Sequence, residues 1–195
     1  MRKVPRQARS QATVEAIVLA GARILSEAGW AAFTTNRVAE RAGVSIGSLY
    51  QYFPDKQSLV DAIRQRHLDA CLAAIRALRP RDMPAALFAA ELVRVLVTVH
   101  CECPGLHRVL LDEAPSSELY RDPASAFERA YLACYEDALA AYRRRPLTAA
   151  DRLAARIVSD AVDGVIHNAA RRGELADPAL QPGLVGLIAP YLQGE

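Results

Sequence analysis

Histidines and cysteines crowd into one short stretch, His100-Cys101-Glu102-Cys103-Pro104-Gly105-Leu106-His107. Thiolates and imidazoles this close along a chain could hold Zn²⁺ or a softer ion. The spacing argues against it. Cys-x-Cys points its two thiols to different sides of a helix, and no second pair has ligand spacing. The stretch reads instead as a helix end, with His100 and His107 lining a pocket or hydrogen-bonded in a core. No metal and no cofactor are expected, and a metal or thiol-redox sensor working through Cys101 and Cys103 is the alternative. With Cys71 and Cys134 the chain has four cysteines, too few for a disulfide scaffold, so all four are read first as buried apolar residues. Catalysis has little to build on. No Gly-x-Ser-x-Gly elbow, phosphate loop or metalloprotease motif occurs, and no enzyme is expected.

A second chemistry is recognition of a polyanion. Residues 1–66 carry ten Lys and Arg against five Asp and Glu, while residues 67–195 carry fourteen against seventeen. A basic head on an acidic body suggests that the head meets nucleic acid. Within the head, residues 35–53 read as helix, turn, helix. Gly43 ends the first helix where a left-handed backbone is wanted, and Ser45 can cap the second by accepting from a free amide. Ala39 is small where the helices must cross. Val38, Ala42, Val44, Leu49 and Phe53 are spaced to lie between them, and Ile46, Gly47, Ser48, Tyr50 and Tyr52 are expected outward. That is the layout of a helix-turn-helix whose second helix enters the major groove.

The surroundings sharpen this. A basic amino-terminal arm, a preceding helix, Thr34-Thr35 at the first cap, and Tyr50, Tyr52 and Phe53 running into Pro54-Asp55-Lys56 occur together. Over residues 10–63 the chain resembles the tetracycline-repressor (TetR) family of bacterial transcriptional repressors. The resemblance implies that Thr35 and Arg37 lie near the phosphate backbone, that Ser45, Ile46, Gly47 and Ser48 face the groove, and that Tyr50, Tyr52 and Lys56 anchor flanking phosphates. Ile46 departs from the polar or basic residues common there and offers only apolar contact, such as to a thymine methyl. Beyond residue 66 the resemblance implies an architecture alone: a helical body with a ligand pocket, its last two long helices forming a dimer interface.

The elements that must position these groups are helices. The 195 residues include 37 alanines and 23 leucines, with Gly and Pro gathered at a few breaks, which predicts an all-α fold of about nine helices. Val14, Val18, Ala22 and Leu25 form one apolar stripe, and Leu59, Ile63, Cys71, Leu72, Ile75 and Leu78 another. The β-branched run Leu92–Val99 could be a strand, yet it has no partner strand in the chain and reads as a fully buried helix. Residues 149–172 and 178–192 carry apolar side chains on more than one side, which predicts a homodimer joined through both segments.

The expected organisation is a DNA-binding head at 1–55 and an effector-binding and dimerisation body at 56–195. An effector pocket is expected among Phe88, Leu92, Leu96, His100, Leu110, Tyr131, Tyr135, Val162 and Ile166, suited to a largely apolar or aromatic small molecule. His167, beside Val162 and Ile166, reads equally as a ligand donor and as a solvent or interface histidine. Arg143-Arg144-Arg145, just before Pro146, reads as cations complementing a helix carboxy-terminus. With no apolar run long enough to span a bilayer and no signal-peptide core, the expected place of action is the cytoplasm.

Overall fold

The computed structural model describes residues 8–115 and 125–193. The basic start at 1–7 and most of the break at 115–123 lie outside them. Among the described residues the fold is all-helical: α1 (Ala8–Ala32), α2 (Thr35–Ala42), α3 (Ile46–Tyr52), α4 (Lys56–Ala77), α5 (Ala85–Cys101), α6 (Leu106–Arg108, followed by a π turn at Val109–Glu113), α7 (Ala126–Arg143), α8 (Ala149–Arg172) and α9 (Leu180–Gln193). The run at Leu92–Val99 is helix, as expected, with Leu92, Val93, Leu96 and Val97 buried.

The chain divides into two compact units. Of the described residues, one comprises 8–68 with 103–115, the other 69–102 with 125–193. The sequence boundary at 55/56 marks the turn before α4. The structural division falls within α4, and a later segment returns to the first unit.

In this first unit, the head, α1 lays Ile17, Val18, Ala22 and Leu25 into a core with Phe33, Val38, Leu49, Phe53, Leu59 and Ile63. Gly21 lies close against this core: a Cβ there would come within 2.8 Å of Ile63 Cδ1, the movable tip of its side chain. Each short helix is closed by its own residues. The Thr34 hydroxyl accepts from Arg37 N (3.3 Å) and the Ser45 hydroxyl from Ser48 N (3.1 Å). Between them Gly43 takes the left-handed conformation (φ 68°) that a side chain would resist. Asp55 and Ser58 close α4 reciprocally: the Asp55 carboxylate accepts from Ser58 N (2.7 Å), and the Ser58 hydroxyl donates to Asp55 O (2.8 Å).

The second unit, the body, builds its core from Phe88, Leu92 and Leu96 of α5, Tyr131 and Tyr135 of α7, Val158, Val162 and Ile166 of α8, and Leu184, Ile188 and Leu192 of α9. Thr148 and Asp151 form a capping box at the start of α8. The arginine run has a more specific task than expected. Arg143 and Arg145 both grip Asp151, whose carboxyl is held far below the ordinary range by the Arg145 and Thr148 hydrogen bonds. Arg143 also donates to Tyr191 O (2.8 Å) and Leu192 O (3.3 Å), closing the carboxy-terminal end of α9.

Candidate nucleic-acid interface

On α3, Ile46, Gly47 and Tyr50 are exposed, while Leu49 is buried against the head core. Helix α2 is fixed beneath by a two-pronged Arg41–Glu27 pair (2.6 and 2.8 Å) reaching back to α1. Thr35 and Tyr50, expected near phosphates, meet through their hydroxyls at 3.1 Å, tying α2 to α3. Arg37 is exposed and donates to Ala32 O (3.1 Å). Ser45 and Ser48 share a hydroxyl contact of 2.8 Å, so both are partly committed to the cap.

One phosphate-anchor assignment changes, and another gains a second contact. Tyr52, expected outward, is 8% exposed and belongs to the head core. Its position three residues after Leu49 and next to Phe53 puts it on the same inward stripe, a signal present in the spacing. Lys56 sets its ammonium 3.4 Å from the centre of the Trp30 ring and 5.5 Å from that of Phe33. A cation over an aromatic face is held electrostatically, and burial lowers the Lys56 pKa.

The segment at 103–115 is a component of the head that sequence reasoning missed. Leu106, Val109, Leu110 and Ala114 are buried in the head core. Gly105 N donates to Ser26 Oγ (3.1 Å), and a Cβ at Gly105 would lie 2.2 Å from Ser26 O. Arg64, almost fully buried on α4, donates to the carbonyls of Leu110 (3.0 Å), Ala114 (3.4 Å) and Pro115 (2.8 Å). Trp30 N donates to Glu113 Oε2 (3.1 Å), and Arg108 pairs with the same carboxylate. Leu110 thus leaves the expected pocket, because it packs in the head. His107 likewise pairs with His67 within the head.

The other expected pocket residues, Phe88, Leu92, Leu96, His100, Tyr131, Tyr135, Val162 and Ile166, are all buried in the body. They frame a polar cluster that spacing did not disclose. Tyr135 OH donates to Tyr131 OH (3.2 Å), and Tyr131 OH donates to Asp163 Oδ1 (2.8 Å). Burial, with Glu128 and Asp160 adding to it against the Tyr131 hydrogen bond, pushes the Asp163 carboxyl up to about 7. Among the described residues no cation pairs with it. His100 Nδ1 lies 2.8 Å from Leu96 O, and its ring is 5.3 Å from that of His167. Burial lowers both histidines, His167 to about 4. A separate open groove of about 340 Å³ lies by Pro80, Met83, Pro84 and Tyr142 and includes none of the expected residues. Cys101 is exposed at the end of α5, and Cys103 is half-buried against the head core.

The apolar surplus of the last two long helices divides cleanly. Leu184, Ile188 and Leu192 face the body core, whereas Leu153 (59% exposed) and Ile157 on α8, and Leu187 (51%) and Tyr191 on α9, face outward. Leu184 is therefore a core residue of one protomer.

The model of bacterial regulatory proteins of the tetR family matches residues 17–63, and that of the tetracyclin repressor-like C-terminal domain matches residues 84–192. The chain belongs to the TetR family. Its relatives by sequence include the nucleoid occlusion factor SlmA of Haemophilus ducreyi, 31% identical over 106 residues, covering 53% of this chain and 52% of that protein. The HTH-type transcriptional regulator RutR of Escherichia coli K12 is 32% identical over 99 residues, covering 51% of this chain and 46% of RutR. The chain thus spans about half the length of the curated relatives it matches. In fold, a TetR transcription regulator from Haloarcula marismortui superposes with a TM-score of 0.75 at 19% identity, covering 94% of this chain and 98% of that one. Among the described residues no helix is long and apolar enough to cross a membrane.

Proposed function

We propose that this TetR-family chain is a DNA-binding transcriptional repressor that works as a homodimer and is released from its operator by a small molecule, without catalysis. The observation that carries the reading is the outward face of α3, Ile46, Gly47 and Tyr50, on a helix fixed by the Ser45 cap and the Leu49 anchor. Base edges are read by Ile46, Gly47 and Ser48, with Ser45 at the groove entrance, while Thr35, Arg37, Tyr50 and Lys56 meet phosphates. Tyr52 supports α3 from within. The homodimer joins through the outward faces of α8 and α9, whose Leu153, Ile157, Leu187 and Tyr191 would leave water together. The effector enters among the aromatic and aliphatic residues of the body core, with the Tyr131 and Tyr135 hydroxyls reading its polar group. It acts by binding the DNA-competent and incompetent states unequally.

Selection from a random duplex library followed by fluorescence anisotropy tests the reading. Enrichment of a near-palindrome with half-sites about 34 Å apart, or at a related spacing, is expected, with affinity falling steeply with salt. Lys56→Ala should weaken all duplexes alike and flatten the salt slope by about one. No enrichment of any duplex would sink the operator reading. An unchanged slope would mean that Lys56 stays on Trp30 in the complex.

A further inference from the structure

We propose that the head carries a transition-metal site whose protein ligands are the imidazoles of His67 and His107, taking a borderline divalent ion such as Zn²⁺, Ni²⁺ or Cu²⁺. The two Nε2 atoms lie 2.6 Å apart, and the rings meet edge to face with centroids 4.3 Å apart and planes at 78°. At this separation one Nε2 carries the proton that the other's lone pair accepts, and a metal ion that displaces this proton to solvent takes both lone pairs. With metal–nitrogen bonds of about 2.0–2.1 Å, a tetrahedral angle sets the nitrogens about 3.3 Å apart, so an ion needs an opening of about 0.7 Å. Small side-chain rotations supply that.

The pair is held by its surroundings. His107 lies between two clamps, the Gly105 amide on Ser26 and the Arg64 guanidinium on the Leu110 and Ala114 carbonyls. His67 follows Arg64 by three residues, so α4 presents both along one stripe. Preorganised imidazoles are what a metal site needs from a protein. His67 is half-buried, so water can complete the coordination shell. The ion would fasten the 103–115 segment to α4 with nitrogen ligands, a different chemistry from the cysteine pair that the sequence brings to mind. The proposal does not depend on operator binding.

The test uses the full chain, stripped with chelator and then dialysed against Zn²⁺, with metal content and thermal unfolding as readouts, and Co²⁺ as a spectroscopic probe. A single ion per chain, a raised melting temperature and a Co²⁺ spectrum without a thiolate charge-transfer band are expected. His67→Gln and His107→Gln should each weaken binding by at least about tenfold, whereas a Cys101→Ser/Cys103→Ser double variant should bind unchanged. Failure of the wild type to retain Zn²⁺, undiminished binding by both histidine variants, or a thiolate band overturns the proposal. If a histidine variant fails to fold, the wild-type Co²⁺ spectrum and Zn²⁺-induced shifts of the His67 and His107 ring resonances decide alone.

Discussion

Thr34, Ser45 and Asp55 in the head each close a helix end within three residues of themselves, whereas Tyr131 in the body reaches Asp163, 32 residues away, from the middle of a helix. The head's caps satisfy backbone groups that any short helix leaves open, so they work the same way whatever packs around them. The polar groups inside the body's core depend instead on distant neighbours. Asp163 rises because it is buried beside Glu128 and Asp160, and His167 falls because it is buried beside His100. Local polarity fixes each short helix by itself, while long-range polarity makes an interior whose charge state depends on what surrounds it.

The sharpest test of the contrast lies within the body. Leu184→Ala should cost about 2–5 kcal/mol by urea unfolding, because its side chain fills the protomer core. Ile157→Glu, on the outward face, should change protomer stability by only about 0.5 kcal/mol yet shift sedimentation from dimer to monomer. A dimer that survives Ile157→Glu would remove that face from the interface.

A smaller effect is expected from Asp163→Asn, and it depends on pH. The folded carboxyl is raised to about 7, while an unfolded aspartate titrates near 4, so Asp163 favours the fold at low pH. That contribution is lost as pH rises from about 4 through about 7. The urea midpoint of the wild type should therefore fall relative to Asp163→Asn between about pH 5 and pH 8. A difference that does not vary with pH would mean that Asp163 titrates as an ordinary aspartate. Least of all, Ser45→Ala should cost the head about 1 kcal/mol, measured by thermal unfolding, with the body's pH response untouched.

These contrasts also explain what could be read from the chain alone. Gly43, Ser45 and Thr34 were legible because each acts on backbone within its own turn, and the Leu92–Val99 helix because the segments around it carry helical rather than strand spacing. Apolar stripes were legible as stripes, but spacing cannot say what a stripe faces. Leu184 and Leu187 lie in one apolar segment yet point to opposite environments, and Leu110 packs in the head although its neighbours in sequence follow a body helix. The seat of Lys56 on Trp30, 26 residues earlier, gave no local sign, since spacing does not show a ring lying beneath the ammonium. Arg64 and Asp163 were silent for the same reason: an ionisable group drawn into a core is recognised by its distant partners.

The Arg64 clasp bears on how this protein can be taken apart. The head is not a cassette that ends where α4 leaves it, because Leu106, Val109, Leu110 and Ala114 complete its core from beyond α5. A chimaera that grafts residues 1–68 onto a foreign body would expose the surface those four side chains cover and leave the Arg64 guanidinium without its three carbonyls. Exchanging specificities between such proteins therefore calls for two cuts and a transplanted return segment, or for redesign of α3 in place.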